Sequence, residues 1–199
     1  MRKIGIWLAS LLFMLSEPAL AQTRVFLSGD VFADAKRFSG DTALRRNATS
    51  IGGGGNVGLL VTERWDVRAE VGVGDTTTTT RPLLPPITTF QARTRSRITA
   101  SSALVGFHPV SGPRVQFIVL AGLSFLHVKT QFDSIPSGLV IKHTEIDNVA
   151  APTIGAEVPI TLFRHVSVVF GLRAHAFTLS KDKAGGFAIR PGFGIRWSS

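Results

Sequence analysis

Hydrophobic and polar residues alternate singly along most of this chain, most regularly near its end. Over residues 165–179, Val166, Val168, Phe170, Leu172, Ala174 and Ala176 alternate with Ser167, Val169, Gly171, Arg173, His175 and Phe177. Over residues 186–197, Phe187, Ile189, Phe193, Ile195 and Trp197 alternate with Ala188, Arg190, Gly192, Gly194 and Arg196. A period of two places the two series on opposite faces of a strand. One face is bulky and apolar, and the other carries glycine and arginine, with Val169 and Phe177 as exceptions. That combination predicts a strand whose outside meets lipid and whose inside meets a packed polar lumen.

The same period predicts six earlier strands. The first, 24–36, sets Val25, Leu27, Val31, Ala33 and Ala35 against Ser28, Asp30, Asp34 and Lys36. The second, 52–62, sets Val57, Leu59 and Val61 against Asn56, Gly58 and Thr62. The third, 65–74, sets Trp65, Val67, Ala69, Val71 and Val73 against Asp66, Arg68, Glu70, Gly72 and Gly74. In the fourth, 93–107, Ile98, Ala100 and Leu104 are expected to face lipid, opposite Arg93, Arg95, Arg97, Thr99 and Ser101. In the fifth, 114–129, Val115 to Phe125 hold one parity, and Leu126 and Val128 break it, which predicts a bulge. A sixth sets Ile154, Ala156, Val158 and Ile160 against Thr153, Gly155, Glu157 and Thr161.

Between the strands, 37–50, 75–91 and 130–149 read as long loops; the second holds a threonine run and three prolines, which forbid regular structure there. Tight turns are expected at Glu63-Arg64, between Pro109 and Pro113, and at Phe163-Arg164, with 180–185 a moderate connection. Long connections on one rim and short ones on the other are those of an up-and-down barrel in a membrane. The expected fold is all-β, an eight-stranded antiparallel up-and-down transmembrane β-barrel with both termini periplasmic.

The first residues add an export signal. Arg2 and Lys3 lead into an apolar run from Ile4 to Leu15, followed by Ala19-Leu20-Ala21. A basic start, a short apolar region and a small-x-small site make a cleaved signal peptide over 1–21, with the barrel domain over 22–199. The apolar run ends well short of the ~20 residues of a spanning helix. No cysteine is present, which fits export without a disulfide framework. The formal charge of +9 falls only to +8 without Arg2, Lys3 and Glu17. In an exported chain this excess points to an anionic membrane surface as partner, not to nucleic acid.

The run Thr153-Ile-Gly-Ala-Glu157-Val-Pro-Ile-Thr-Leu-Phe-Arg-His165-Val-Ser-Val resembles the strand-turn-strand of small OmpA/OmpX-like outer-membrane barrels. The ending Gly192-Phe-Gly-Ile-Arg-Trp197 is similar to the aromatic-ended insertion signal of that class, although Ser198-Ser199 follow it and tyrosine is absent. The resemblance implies a bacterial outer-membrane location and recognition by the barrel-assembly machinery through Phe193, Ile195 and Trp197. Trp65 and Trp197, with Phe107 and Phe163, would form the aromatic girdle at the periplasmic rim. It implies no catalytic motif.

Other motifs give way to simpler readings. Residues 53–58 spell G-x-G-x-x-G, but strands continue after it where a dinucleotide site needs a helix N-terminus. Glycines under a crowded barrel wall account for it. Asn47-Ala48-Thr49 is a sequon without meaning in a bacterial envelope. The five histidines, His108, His127, His143, His165 and His175, show no metal-ligand spacing. His175 is expected in a lumen hydrogen-bond network with Ser167, Thr178 or Glu157 in reach. Barrel lipid A deacylases place a serine two residues after such a histidine, and here that residue is Phe177. No cofactor is expected, and no enzyme activity.

The densest chemistry is the inward set Asp30, Asp34, Asp66, Arg68, Glu70, Arg95, Arg97, Glu157, Arg173, Arg190 and Arg196. An eight-stranded barrel is only just wide enough for its own side chains, so mixed charges there read as a network that closes the lumen. Expected pairs are Asp30 or Asp34 with Arg190, Glu157 with Arg173, and Glu70 with Arg95 or Arg97. Pro191 implies a bulge or irregularity in the last strand. On the long-loop side, Arg45, Arg46, Arg81, Lys142, Lys181 and Lys183 would contact lipid headgroups, including lipopolysaccharide. The expected role is a monomeric, non-enzymatic structural or surface-contact protein. A small pore or carrier, with Leu83, Leu84 and Ile87 at its mouth, and a lipid-modifying barrel enzyme are the alternatives.

Overall fold

The computed structural model describes residues 24–38, 48–80, 91–135, 141–178 and 185–199. Eight strands follow in order: β1 (Arg24–Phe38), β2 (Ala48–Thr62), β3 (Trp65–Thr80), β4 (Gln91–Ser111), β5 (Gln116–Ile135), β6 (Ile141–Phe163), β7 (Val166–Thr178) and β8 (Gly185–Ser198). Each pairs antiparallel with its chain neighbours, and β8 pairs with β1 to close the barrel. One circuit of partners runs from Phe26 through Gly58, Arg68, Leu104, Gly122, Thr153, His175 and Ala188 to Lys36. It returns to β1 ten residues beyond its start, a stagger that tilts the strands and sets the bore.

The barrel is inverted relative to a soluble one. Leu27, Val31, Val57, Val67, Val71, Leu123, Phe125, Ile154, Phe170, Leu172, Phe193 and Ile195 stand exposed on the outer wall. Asp34, Asp66, Arg68, Glu70, Glu157, Arg173, Arg190 and Arg196 are buried inside. Near the short turns the belt ends in aromatics: Trp65, Phe163 and Trp197 are exposed, and the Trp65 and Phe107 rings lie 4.8 Å apart. Residues paired across a ladder share a face, so Leu27 beside Trp197 carries the belt across the closing seam.

Glycine admits two inward aromatics. A side chain at Gly58 would collide with the Phe26 ring, and one at Gly52 with the Phe32 ring. The glycine run of β2 therefore has a packing reason, as a barrel wall demands.

Three expectations are corrected, and a fourth is narrowed. The long loops shrink, because Thr76–Thr80 continue β3 against β4, and β5 and β6 pair as far as Ser134 and Ile141. Beyond the apolar belt both faces of a strand are polar, so the hydropathy contrast disappears while β-branched threonine still favours extension. In β4 the faces are reversed: Ile98, Ala100 and Leu104 are buried inside, whereas Arg95 and Arg97 point outward. The reason is register, since Leu104 sits opposite inward Arg68 and Ala100 opposite inward Gly72. No bulge occurs at Leu126; β4 and β5 pair without a shift from Ile135 to Val119, and Leu126 is an ordinary inward residue. At Pro191 the expected irregularity is a gap in the ladder and not a bulge, with no register shift. The β1–β8 ladder skips from Phe32–Gly192 to Ala35–Ile189 in one register, because proline has no N–H to donate there.

Candidate functional site in the barrel lumen

Strand alternation sends every second side chain into the bore, and the stagger brings charges from four strands to one level near the short turns. Glu157 of β6 is the centre. Its Oε2 accepts from Arg68 Nη1 at 2.7 Å and Arg196 Nη2 at 2.5 Å, and its Oε1 accepts from Arg173 Nη2 at 2.5 Å. Asp66 grips Arg68 with both oxygens, at 2.8 and 2.6 Å, and also meets His108 Nε2 at 2.7 Å. Glu70 accepts from Arg173 Nη2 at 3.1 Å. Three carboxylates thus face three guanidiniums, a formally neutral knot held by charge-assisted bonds.

Phenylalanines form its walls. Arg68 and Arg196 lie over the Phe26 ring at 5.0 and 4.6 Å, and Arg190 over Phe32 at 4.1 Å. Stacking on an aromatic face recovers part of what guanidinium loses on leaving water.

Farther from the short turns the chemistry changes. Arg190 Nη2 donates to Asp34 at 3.2 Å. Beside that pair, hydroxyls cross four strands: Ser102 and Ser124 at 2.7 Å, Ser124 and Thr153 at 2.6 Å, Thr153 and His175 Nδ1 at 2.9 Å. Next along the bore, Ala100, Leu126, Val149, Ala151, Phe177 and Ala188 form an apolar cluster. A cavity of about 20 Å³ lies among Asp30, Asn56, Glu157, Arg173 and Arg190, the scale of a single water.

The expected pairs distribute as follows. Glu157 meets Arg173, and Arg190 meets Asp34. Asp30 faces the lumen but its Oδ1 has no hydrogen-bond partner among the described residues. Glu70 pairs with Arg173 instead of Arg95 or Arg97, because those two lie on the outer wall; Arg97 binds Asp75 there with 2.8 and 2.9 Å contacts. His175 bonds to Thr153, while Ser167 bonds to Thr161 and Thr178 faces outward.

Phe193, Ile195 and Trp197 share the outer face of β8. Lys142 is exposed at the start of β6. Arg45, Arg46, Arg81, Lys181, Lys183, Leu83, Leu84, Ile87 and the signal segment lie outside the described residues.

Sequence reasoning missed Phe26, Phe32 and His108 as lumen residues. The first two share parity with Ser28 and Asp30, so carrying the alternation through would have placed them. His108 follows a register shift after Phe107, and no local pattern announces its contact with Asp66. No group of His, Cys, Asp or Glu suited to a metal occurs among the described residues.

No protein-family model and no curated protein sequence matches the chain. Solved structures do match its fold. Neisserial surface protein A superposes with a TM-score of 0.56 at 12% identity, over 87% of this chain and 96% of that one. Ail, the attachment invasion locus protein of Yersinia pestis, in complex with the heparin analogue sucrose octasulfate, gives 0.53 at 14%, over 88% and 99%. A major outer membrane protein of Thermus thermophilus gives 0.53 at 14%, over 87% and 99%. The chain therefore has the fold of small outer-membrane β-barrels, in keeping with the OmpA/OmpX-like resemblance of its sequence.

Proposed function

We propose that this chain is an exported, integral protein of a bacterial outer membrane, with a non-enzymatic structural or surface-contact role and a lumen closed by its own side chains. One observation carries the reading: the barrel exposes a continuous apolar belt while burying a neutral knot of carboxylates and guanidiniums. Only lipid makes such an exterior stable, and only a filled bore pairs such an interior. The fold shared with a surface protein and an attachment protein supports contact at the cell surface as the role.

The hydroxyl–histidine chain supports the non-enzymatic reading. Ser124, Thr153 and His175 are at most 1% exposed, so no substrate reaches them. A lipid A mass spectrum altered by deletion of the gene would argue instead for a lipid-modifying enzyme. Phe193, Ile195 and Trp197 on one face of β8 fit recognition by the barrel-assembly machinery, and a closed barrel without a free strand edge supports a monomer.

The test is to refold the chain without residues 1–21 into phospholipid vesicles and planar bilayers. Heat-modifiable gel mobility is expected, with no steady conductance, and Trp197→Ala is expected to lower the amount of folded protein in cell membranes. Mobility that ignores heating would remove the membrane-barrel reading. A large, stable conductance would replace the closed lumen by a pore.

A further inference from the structure

The correction in β4 leaves two arginines that the lumen does not use. Arg97 lies between Asp75 of β3 and Lys129 of β5 in the ladder, and Arg95 lies opposite Gln131. All five residues face outward and line a groove of about 410 Å³. Their level on the wall is defined by their own strands. Val71 and Val73 precede Asp75, and Leu123 and Phe125 precede Lys129, separated only by His127 on that face. The cluster therefore stands where the apolar belt gives way to polar wall, on the rim away from the short turns.

Charge there is unbalanced. Asp75 holds Arg97 through both carboxylate oxygens. Arg95 and Lys129 have no ion-pair partner among the described residues, and both are exposed. Adjacent strands lie ~4.8 Å apart, so cations on β4 and β5 can close on one tetrahedral anion. Arginine supplies a planar fork of donors, and lysine supplies a point charge. Apolar wall directly beneath three cations suits an amphiphile whose acyl chains lie on the belt and whose phosphate sits at its edge.

We propose that Arg95, Arg97 and Lys129 form a binding site on the outer wall for the phosphate of a phosphorylated glycolipid headgroup in the surrounding leaflet. The site rests on the membrane-barrel reading above, and it differs from the loop cations Arg45, Arg46, Arg81, Lys142, Lys181 and Lys183. Asp75 orients Arg97 and limits the affinity of the site.

The experiment uses the chain without residues 1–21, folded in phosphatidylcholine nanodiscs doped with bis-phosphorylated lipid A or with fully dephosphorylated lipid A. Folding is scored first by heat-modifiable mobility. A barrel that fails there overturns the membrane reading, whereas a folded barrel without lipid preference overturns only this site. Native mass spectrometry then reads the lipid retained on extraction. The wild type is expected to retain the phosphorylated form preferentially. Arg95→Gln with Lys129→Gln is expected to cut that retention about tenfold or more, the loss of charge-assisted contacts, while Arg64→Gln, exposed at the short turn on the opposite rim, leaves it unchanged. Asp75→Asn removes the competing carboxylate and is expected to raise retention, an effect opposite in sign to that of damage to the barrel. Equal retention of the dephosphorylated lipid, or unchanged retention in the double variant, would each overturn the proposal.

Discussion

Next to the short turns, Glu157 accepts from three arginines, and Asp66 and Glu70 complete a knot in which every charge meets an opposite one. Along the same strands towards the other rim, Leu126, Val149, Ala151, Phe177 and their neighbours fill the bore with carbon. Both halves fill the bore with side chains, but they tolerate damage differently. An apolar plug degrades gradually, because each lost methylene removes a share of contact and leaves a cavity. An ionic knot is stable only when complete, since removing one member strands the others in a medium that does not solvate them. The hydroxyl chain from Ser102 to His175 lies at the boundary between the two halves, and there it satisfies polar groups without adding charge.

The largest effect is expected at Glu157. Glu157→Gln keeps the shape and leaves three guanidiniums facing two carboxylates, with Arg196 stripped of its carboxylate partner, at a cost of roughly 3–5 kcal/mol. Urea unfolding in detergent micelles is the measurement, and a midpoint equal to wild type would mean that the knot is hydrated and weak. Replacing both Glu157 and Arg196 by methionine sharpens the point: removing an acid and a base together should cost less than Glu157→Gln alone.

Phe177→Ala tests the other half. The truncation of a buried aromatic costs about 3–5 kcal/mol where the site cannot collapse, and the small neighbours Ala151 and Ala188 cannot move in to fill it. The expected loss lies at or below that of Glu157→Gln. The same variant should show no new steady conductance, because the ionic knot still blocks the bore. An open channel in Phe177→Ala would place the seal in the apolar half alone.

Thr153→Val is nearly isosteric and removes one link between Ser124 and His175. Leaving buried polar atoms unpartnered costs about 1–3 kcal/mol, so a loss smaller than at Glu157 is expected. No measurable loss would show that the hydroxyl chain relaxes around the gap.

The smallest effect is expected outside the lumen. Asp75→Asn breaks the bidentate contact with Arg97, whose side chain is 61% exposed. Solvent screens such a pair, so the unfolding midpoint should stay at the wild-type value, even though the charge of the outer wall changes. A clear destabilisation would mean that the pair is more sheltered than its exposure implies.

Much of the barrel was legible along the chain because a lipid-facing strand writes its geometry locally. The bulky series ending in Phe193, Ile195 and Trp197, and the cleaner one from Trp65 to Val73, need only a period of two to be assigned a face. The inward places of Asp66, Arg68, Glu70, Glu157, Arg173, Arg190 and Arg196 followed from the same period. The signal ended where the inside and outside of the wall resemble each other. In β4, Ile98, Ala100 and Leu104 are apolar and yet line the bore, and only pairing with β3 identifies which face they occupy. Beyond the belt, polar residues on both faces hid the length of β4, β5 and β6.

By itself, then, the sequence determined an all-β chain with an apolar exterior and a charged interior, because those properties repeat every second residue on each strand. Only the tertiary structure decided which charges meet. Arg68 reaches Glu157 across 89 positions and Glu70 reaches Arg173 across 103. Such partners are selected by the ten-residue stagger of the closed sheet, a property of the whole circuit of strands that no single strand carries.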